Sequence, residues 1–302
     1  MSAILYDSPG PRARRRELIG SVVGIVLLLA LLGTGLWFAA GRGVLDLERW
    51  DVLFDPPKDQ TAAAVWTSMV VRGLGATLRA AAVAAPLALV LGLVLAVWRT
   101  ARHRWLRGPA VVVIELFRGL PVLLMMFFGL LGFGWNAFQS VVFGLAVYNM
   151  AIIAEILRAG LAALPKGQAE AAYAIGLTRA QTLLTILLPQ AVRTMMPSLI
   201  AQLVVLLKDS SLGFIVGYGE LLKAIQNNGQ FFGNQYYVAL FVVGAGIYLT
   251  VNISLSWLAR WTQRRTMRTS SASPAAAANE VTLASTFGGG FPMVGVKPND
   301  HP

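Results

Sequence analysis

Three pairs of opposite charges sit inside otherwise apolar runs: Glu115 with Arg118, Glu155 with Arg158, and Lys208 with Asp209. The first two pairs are spaced i, i+3, which puts both partners on one helix face, where an ion pair can close. Lys208 and Asp209 are neighbours in the chain, so on a helix they point to different faces and cannot simply neutralise one another. Ser210, Ser211, Leu212 and Gly213 follow; the hydroxyls can bond back to the backbone, and the glycine loosens the next turn. A zwitterion that pauses there finds an anion acceptor and a cation acceptor close together. Lys208, Asp209, Ser210 and Ser211, with Arg118, Glu155 and Arg158, are therefore the candidates for a solute path or gate. The alternatives stay open. The i, i+3 pairs can be braces between helices, and Lys208 with Asp209 can bridge to a partner subunit.

Other chemistries are excluded by what the chain does not contain. It has no cysteine, and its two histidines, His103 and His301, lie in polar flanks, so no metal centre is expected. No Gly-x-x-x-x-Gly-Lys-Ser/Thr loop occurs to cradle a nucleotide, and no triad or paired-carboxylate site is apparent. No catalytic residue and no cofactor is assigned, and the chain is not read as an enzyme.

The elements that hold these charges are set by composition. Of 302 residues 56% are hydrophobic and only 13% charged, about half the charged share of soluble domains. Mean hydropathy is +0.65. Six runs are long enough for a hydrocarbon core of ~30 Å, which takes about 20 helical residues: 18–40, 74–98, 109–133, 141–161, 197–216 and 236–259. The first exceeds the length of a signal-peptide core and reads as a retained span. At membrane depth each charge costs about 2.5–3.5 kcal/mol on insertion scales, so all six must face a bundle interior, a wet cavity or an interface. The fold class is all-α, a polytopic membrane helix bundle. Trp66, Trp98, Trp105, Trp257 and Trp261 fall near the span ends, as an interfacial belt does.

The net charge of +11 does not indicate nucleic acid, because the arginines gather at the ends of apolar runs rather than on a soluble domain with stacking aromatics. With the N-terminus inside, the inner pieces hold sixteen cations: Arg12, Arg14, Arg15, Arg16, Arg99, Arg102, Arg104, Arg107, Lys166, Arg179, Arg193, Arg260, Arg264, Arg265, Arg268 and Lys297. The outer pieces hold five: Arg42, Arg49, Lys58, Arg72 and Lys223. Both termini are thus expected in the cytoplasm.

Residues 1–17 form a basic N-terminus, 18–40 the first span, and 41–72 an acid-rich outer loop with a short helix expected over 61–69. Residues 73–265 form the core. A second outer loop, 217–235, contains Asn227-Asn228-Gly229, which reads as a turn. Residues 266–302, rich in Ser, Ala and Gly, are expected to be a disordered cytoplasmic tail.

On the inner side lies a polar island, residues 164–189. A short helix opens after Pro165 and Gly167 and carries Glu170, Ala171 and Ala172; Gly176 falls where a helix C′ residue needs a left-handed backbone. Thr178 and Gln181 have capping-box spacing, so a second helix starts there and runs to about Leu188. The pattern predicts a helix–turn–helix elbow at the membrane surface.

Glu170-Ala171-Ala172, Gly176 and Ile186-Leu187-Leu188-Pro189 resemble the EAA loop of ABC importer permeases. Gly75-Ala76-Thr77-Leu78, Glu115 to Pro121, Ala154 to Gly160, Pro189 to Arg193 and Lys208 to Leu212 are similar to its polar amino-acid branch, in the expected order. The likeness covers about residues 72–265 and leaves out the first span and the tail. It implies a five-span type I importer core preceded by one extra N-terminal span, in a bacterial cytoplasmic membrane. It further implies a cytoplasmic ABC ATPase dimer, a second permease subunit that is homologous or identical, and an extracytoplasmic amino-acid-binding protein. In that reading Glu170 anchors the elbow in an ATPase groove, Ala171 and Ala172 permit close approach, and Gly176, Leu188 and Pro189 shape the elbow. The solute would be a polar amino acid, glutamate or a relative. The competing class, an ion-gradient-driven secondary transporter, predicts inverted repeats and midplane helix breaks.

Overall fold

The computed structural model describes residues 10–44 and 46–268. The tail expected to be disordered lies outside the described residues from 269 onward, while residues 266–268, counted with it, close the last helix instead. The described residues are helical or irregular, with no strand among them.

Among the described residues nine helices, short isolated 3-10 turns aside, run in order: α1 Pro11–Gly41, α2 Ala62–Thr100, α3 Arg104–Gly119, α4 Val122–Gly132, α5 Ala137–Ala162, α6 Lys166–Ala174, α7 Arg179–Phe214, α8 Leu221–Phe232 and α9 Tyr237–Arg268. Among the described residues five helices are individually long and apolar enough to cross a membrane, and the count reaches six if α3 and α4 form one broken span. That break corrects the single run expected over 109–133. Pro121 lacks an N–H and forces its predecessor out of the helical region; Leu120 is extended at φ −97°, ψ 138°.

Two further expectations change. The short outer helix at 61–69 is not separate: from Ala62, capped by the Thr61 hydroxyl, the chain winds through a π-helical stretch, Thr67–Leu74, straight into the second span. The second elbow helix does not stop at Leu188 but runs on as α7 through Pro189 and Pro197. A wider π turn, Thr182–Leu187, directly precedes Pro189. It gives room to a proline ring that would otherwise strike the carbonyl four residues back.

Contacts divide the chain into two compact units. One takes the described residues up to Ala84, with Val122–Leu145 and Asp209–Val251. Its core joins Val52, Leu53, Val65, Met69, Leu221 and Leu240, all nearly inaccessible. The acid-rich connection thus tucks two aliphatic residues under its polar surface, and the Trp66 indole N–H donates to the Leu53 carbonyl at 3.0 Å. Where a turn was expected at Asn227-Asn228-Gly229, helix α8 runs unbroken. Gly229 is there for proximity: a Cβ on it would lie 2.4 Å from the Tyr237 ring. Asn228 donates to the Ser68 hydroxyl at 3.2 Å.

The other unit takes Ala85–Pro121, Ala146–Lys208 and the described residues from Asn252 on. Membrane helices associate through close packing and interhelical hydrogen bonds. Gly92 of α2 lies where a Cβ would meet Ile153 of α5 at 2.7 Å. Gln202 of α7 donates to the fully buried Asn149 of α5 at 2.8 Å. α1 differs from every other span: none of its residues is buried.

Candidate functional site

The elbow closes as its sequence demands. At the end of α6, Gly176 adopts φ +86°, its N–H donates to the Tyr173 carbonyl at 3.0 Å, and the Leu177 N–H reaches back to the Ala172 carbonyl at 3.1 Å. These two bonds make a Schellman motif, which satisfies carbonyls that the helix end would leave orphaned. Two residues later the Gln181 N–H donates to the Thr178 hydroxyl at 3.3 Å, and the Thr178 N–H donates to the Gln181 amide oxygen at 2.9 Å. That reciprocal capping box starts α7.

Stiffened at both corners, the elbow turns most of its site residues outward. Ala172 and Leu188 are buried, whereas Glu170, Ala171, Gly176 and Pro189 are exposed. Glu170 has no ion-pair partner within 4 Å among the described residues. Beside it, Tyr173 is 43% exposed and Ile175 is 78% exposed. Neither stands out in the sequence, where an isoleucine before a glycine is unremarkable. Their pairing with a lone carboxylate gives the elbow an amphiphilic outer face.

The midspan charges separate into two places. Glu115 and Arg118 join at 3.1 Å, and Arg158 holds Glu155 through Nε at 2.8 Å and Nη2 at 2.5 Å. The two pairs are not independent. Arg99, from the end of α2, reaches Glu155 at 2.9 Å and Glu115 at 3.5 Å. It therefore ties α3 and α5 to α2. The Arg99 Nη1 and Glu155 Oε2 atoms approach without hydrogen-bond alignment, so that contact is Coulombic. Three guanidiniums face two carboxylates, which leaves the cluster one positive charge in excess. In the sequence Arg99 reads as one of several flanking cations; only the fold brings it inward.

Lys208 and Asp209 end the α-helical part of α7, and Ser210 opens a tighter 3-10 turn, Ser210–Phe214. Lys208 belongs to the same unit as the Arg99 cluster, whereas Asp209, Ser210 and Ser211 belong to the other. Ser210 is buried. Ser211 lines a cavity of about 180 Å³ with Glu220, Phe241 and Tyr248. Glu220, inconspicuous in the sequence as one acid in an outer loop, is fully buried and caps α8, its Oε1 accepting from the Lys223 N–H at 2.8 Å. Its other oxygen has no hydrogen-bond partner among the described residues, and burial pushes the carboxyl up to about 7.

This architecture has relatives. Residues 88–268 match the family described as the binding-protein-dependent transport system inner membrane component. The chain belongs to that family. The permease is 43% identical over 235 residues to the glutamate transport system permease protein GluD of Corynebacterium glutamicum, covering 75% of this chain and 82% of that one. It is 35% identical to the probable glutamine ABC transporter permease protein GlnP of Bacillus subtilis, over 66% of this chain and 91% of that one. Among solved structures it is similar to an amino acid ABC transporter crystallised with histidines, with a TM-score of 0.61 and 29% identity. That match covers 68% of this chain and 97% of the other. The permease is a multi-pass membrane subunit of a transport system. The family match begins within α2, so α1 lies outside it.

Proposed function

We propose that this permease forms half of the translocation pore of an ATP-binding-cassette importer for a polar amino acid, glutamate or a close relative. In this reading a cytoplasmic ATPase dimer drives it, a second permease subunit completes the pore, and an extracytoplasmic binding protein delivers the solute. Both termini and the elbow face the cytoplasm. The observation that carries the proposal is the elbow: a corner fixed by a Schellman motif and a capping box, offering an unpaired Glu170 beside exposed Tyr173 and Ile175. Such a surface suits a groove on a partner protein. Because α7 is continuous from the elbow into the membrane, displacement at Glu170's side of the corner is passed to the span as rigid-body motion. The Arg99 cluster braces the end of α2, the last turns of α3 and the C-terminal half of α5 as a gate, and Asp209 with Ser210 and Ser211 lies on the solute path.

The similarity to the glutamate and glutamine permeases supports the solute class. The echo of Glu115-x-x-Arg118 in Glu155-x-x-Arg158, the one hint of an inverted repeat, resolves into a single cluster around Arg99. That favours the ATP-driven reading over an ion-gradient transporter. The test is uptake by proteoliposomes holding the permease, its ATPase and its binding protein. Uptake of glutamate that needs ATP and stops with vanadate is expected; uptake driven by an ion gradient and abolished by ionophores would overturn the proposal. For the solute path, Asp209→Asn should leave complex yield intact and reduce uptake by roughly one to two decades, the usual weight of a charge-assisted hydrogen bond. Intact yield with normal uptake removes Asp209 from the path.

A further inference from the structure

The end of α2 that the charge count places outside carries Arg72 and, two turns deeper, Arg79. Both line one open cavity of about 650 Å³, together with Asn136, Phe138 and Tyr218. All of these residues lie in one unit. Neither guanidinium has a carboxylate within 4 Å among the described residues. Arg79 stacks over the Phe138 ring, 4.9 Å from its centroid, which orients the guanidinium without consuming its charge.

The remaining walls have complementary roles. Asn136 exchanges hydrogen bonds with Gln139, its Oδ1 accepting from the Gln139 N–H at 2.9 Å, and so caps the start of α5. Its amide NH2 is left for the cavity, and the positive end of the α5 dipole lies at the same place. The Tyr218 hydroxyl donates to the Ala76 carbonyl at 2.8 Å, which turns its oxygen lone pairs into acceptors for a visiting ammonium. Burial raises the Tyr218 hydroxyl above its usual range, so it stays neutral. The cavity thus offers two unpaired cations, one amide donor and one neutral acceptor.

We propose that this cavity is an outer recognition site selective for an amino acid with two carboxylates, Arg79 taking one and Arg72 the other. Arg72 and Arg79 are seven residues apart, about two turns and roughly 10 Å along the helix axis, so a dicarboxylate lying along α2 can engage both side chains through bonds of about 2.8 Å. A neutral amide in place of the side-chain carboxylate would leave one arginine uncompensated. This inference rests on the transport reading above but places part of the solute preference in the permease itself.

The test uses the permease–ATPase complex in nanodiscs of neutral lipid, without binding protein, and measures equilibrium binding of labelled glutamate and glutamine. Glutamate is expected to bind at least tenfold more tightly, in line with one additional charge-assisted bond. Of Arg79→Gln and Arg72→Gln, the one that removes the partner of the side-chain carboxylate should bring the ratio towards one with glutamine binding retained, and the other should weaken both ligands together; Arg79→Lys should keep part of the affinity that Arg79→Gln loses. Equal wild-type affinities, no saturable binding, or an unchanged ratio in both variants would overturn the proposal. So would variants that alter only the retention of anionic lipid, since the arginines would then hold a headgroup phosphate. If vanadate-sensitive uptake persists alongside any of these results, the transport reading stands and only the cavity assignment falls. Selective binding without ATP-dependent uptake is the converse: the cavity assignment stands and the transport reading falls.

Discussion

Two short helices lie between spans of this permease, and each has one glutamate near its start or middle, yet they are opposites. α6 buries only Ala172 and turns Glu170 to solvent; α8 buries Leu221, Ala224, Ile225, Gly229 and Phe232 and seals Glu220 inside as its cap. A helix of nine residues with almost no buried face cannot be held by packing, so its corners are held by hydrogen bonds. α8 is held by its own core. An acid left outside on a rigid corner is available to another protein, whereas an acid sealed inside belongs to its own fold.

The sharpest break in that contrast is charge reversal at the elbow. Glu170→Lys should abolish ATP-driven uptake in reconstituted complexes while membrane abundance stays near the wild-type level. Uptake at the wild-type rate would remove Glu170 from coupling. The matching change in α8 should act on stability instead. Phe232→Ala empties a buried site and is expected to cost about 3–5 kcal/mol, read as reduced yield and a lower thermal midpoint in detergent. A variant of normal stability and defective transport would show that α8, too, faces a partner.

Glu220 sharpens the comparison through pH. Burial raises its folded carboxyl to about 7 from the ordinary 4.5, so the folded state binds more protons than the unfolded chain between those values. Stability is therefore full below about 4.5 and is lost as pH rises through about 7. Glu220→Gln, which can still accept from the Lys223 N–H, should flatten the fall in thermal midpoint between these limits. An equal slope in wild type and variant would place the titration elsewhere. The smallest effect is expected at the corner: Thr178→Ala removes one capping bond, about 1 kcal/mol, and should loosen ATPase co-purification more than it lowers overall stability.

The elbow is readable from sequence because every signal in it is local. Gly176, Thr178 and Gln181 act within a few residues, and each bond forms where its spacing indicates. Pro121 is readable as an interruption but not as a complete break. Three features depend on distant partners, and sequence reasoning misreads or misses them. Asn227-Asn228-Gly229 has turn composition, but Ser68 and Tyr237 make it helix. Arg99 looks like any cation at a span end until α3 and α5 bring carboxylates to it. Arg72 and Arg79 have no local signature at all; only the approach of Asn136, Phe138 and Tyr218 turns two arginines on one helix into a cavity wall.

The unburied first span carries a different kind of information. With no residue of α1 buried, its sequence answers chiefly to length and hydropathy. It is degenerate: scrambling the order of its apolar residues should leave the fold untouched, while scrambling α5, whose apolar window is 67% buried, should destroy it. In the topology proposed above α1 also adds parity. One additional crossing would move the N-terminus of a five-span core to the opposite face of the membrane, so that both ends of the permease would share a compartment.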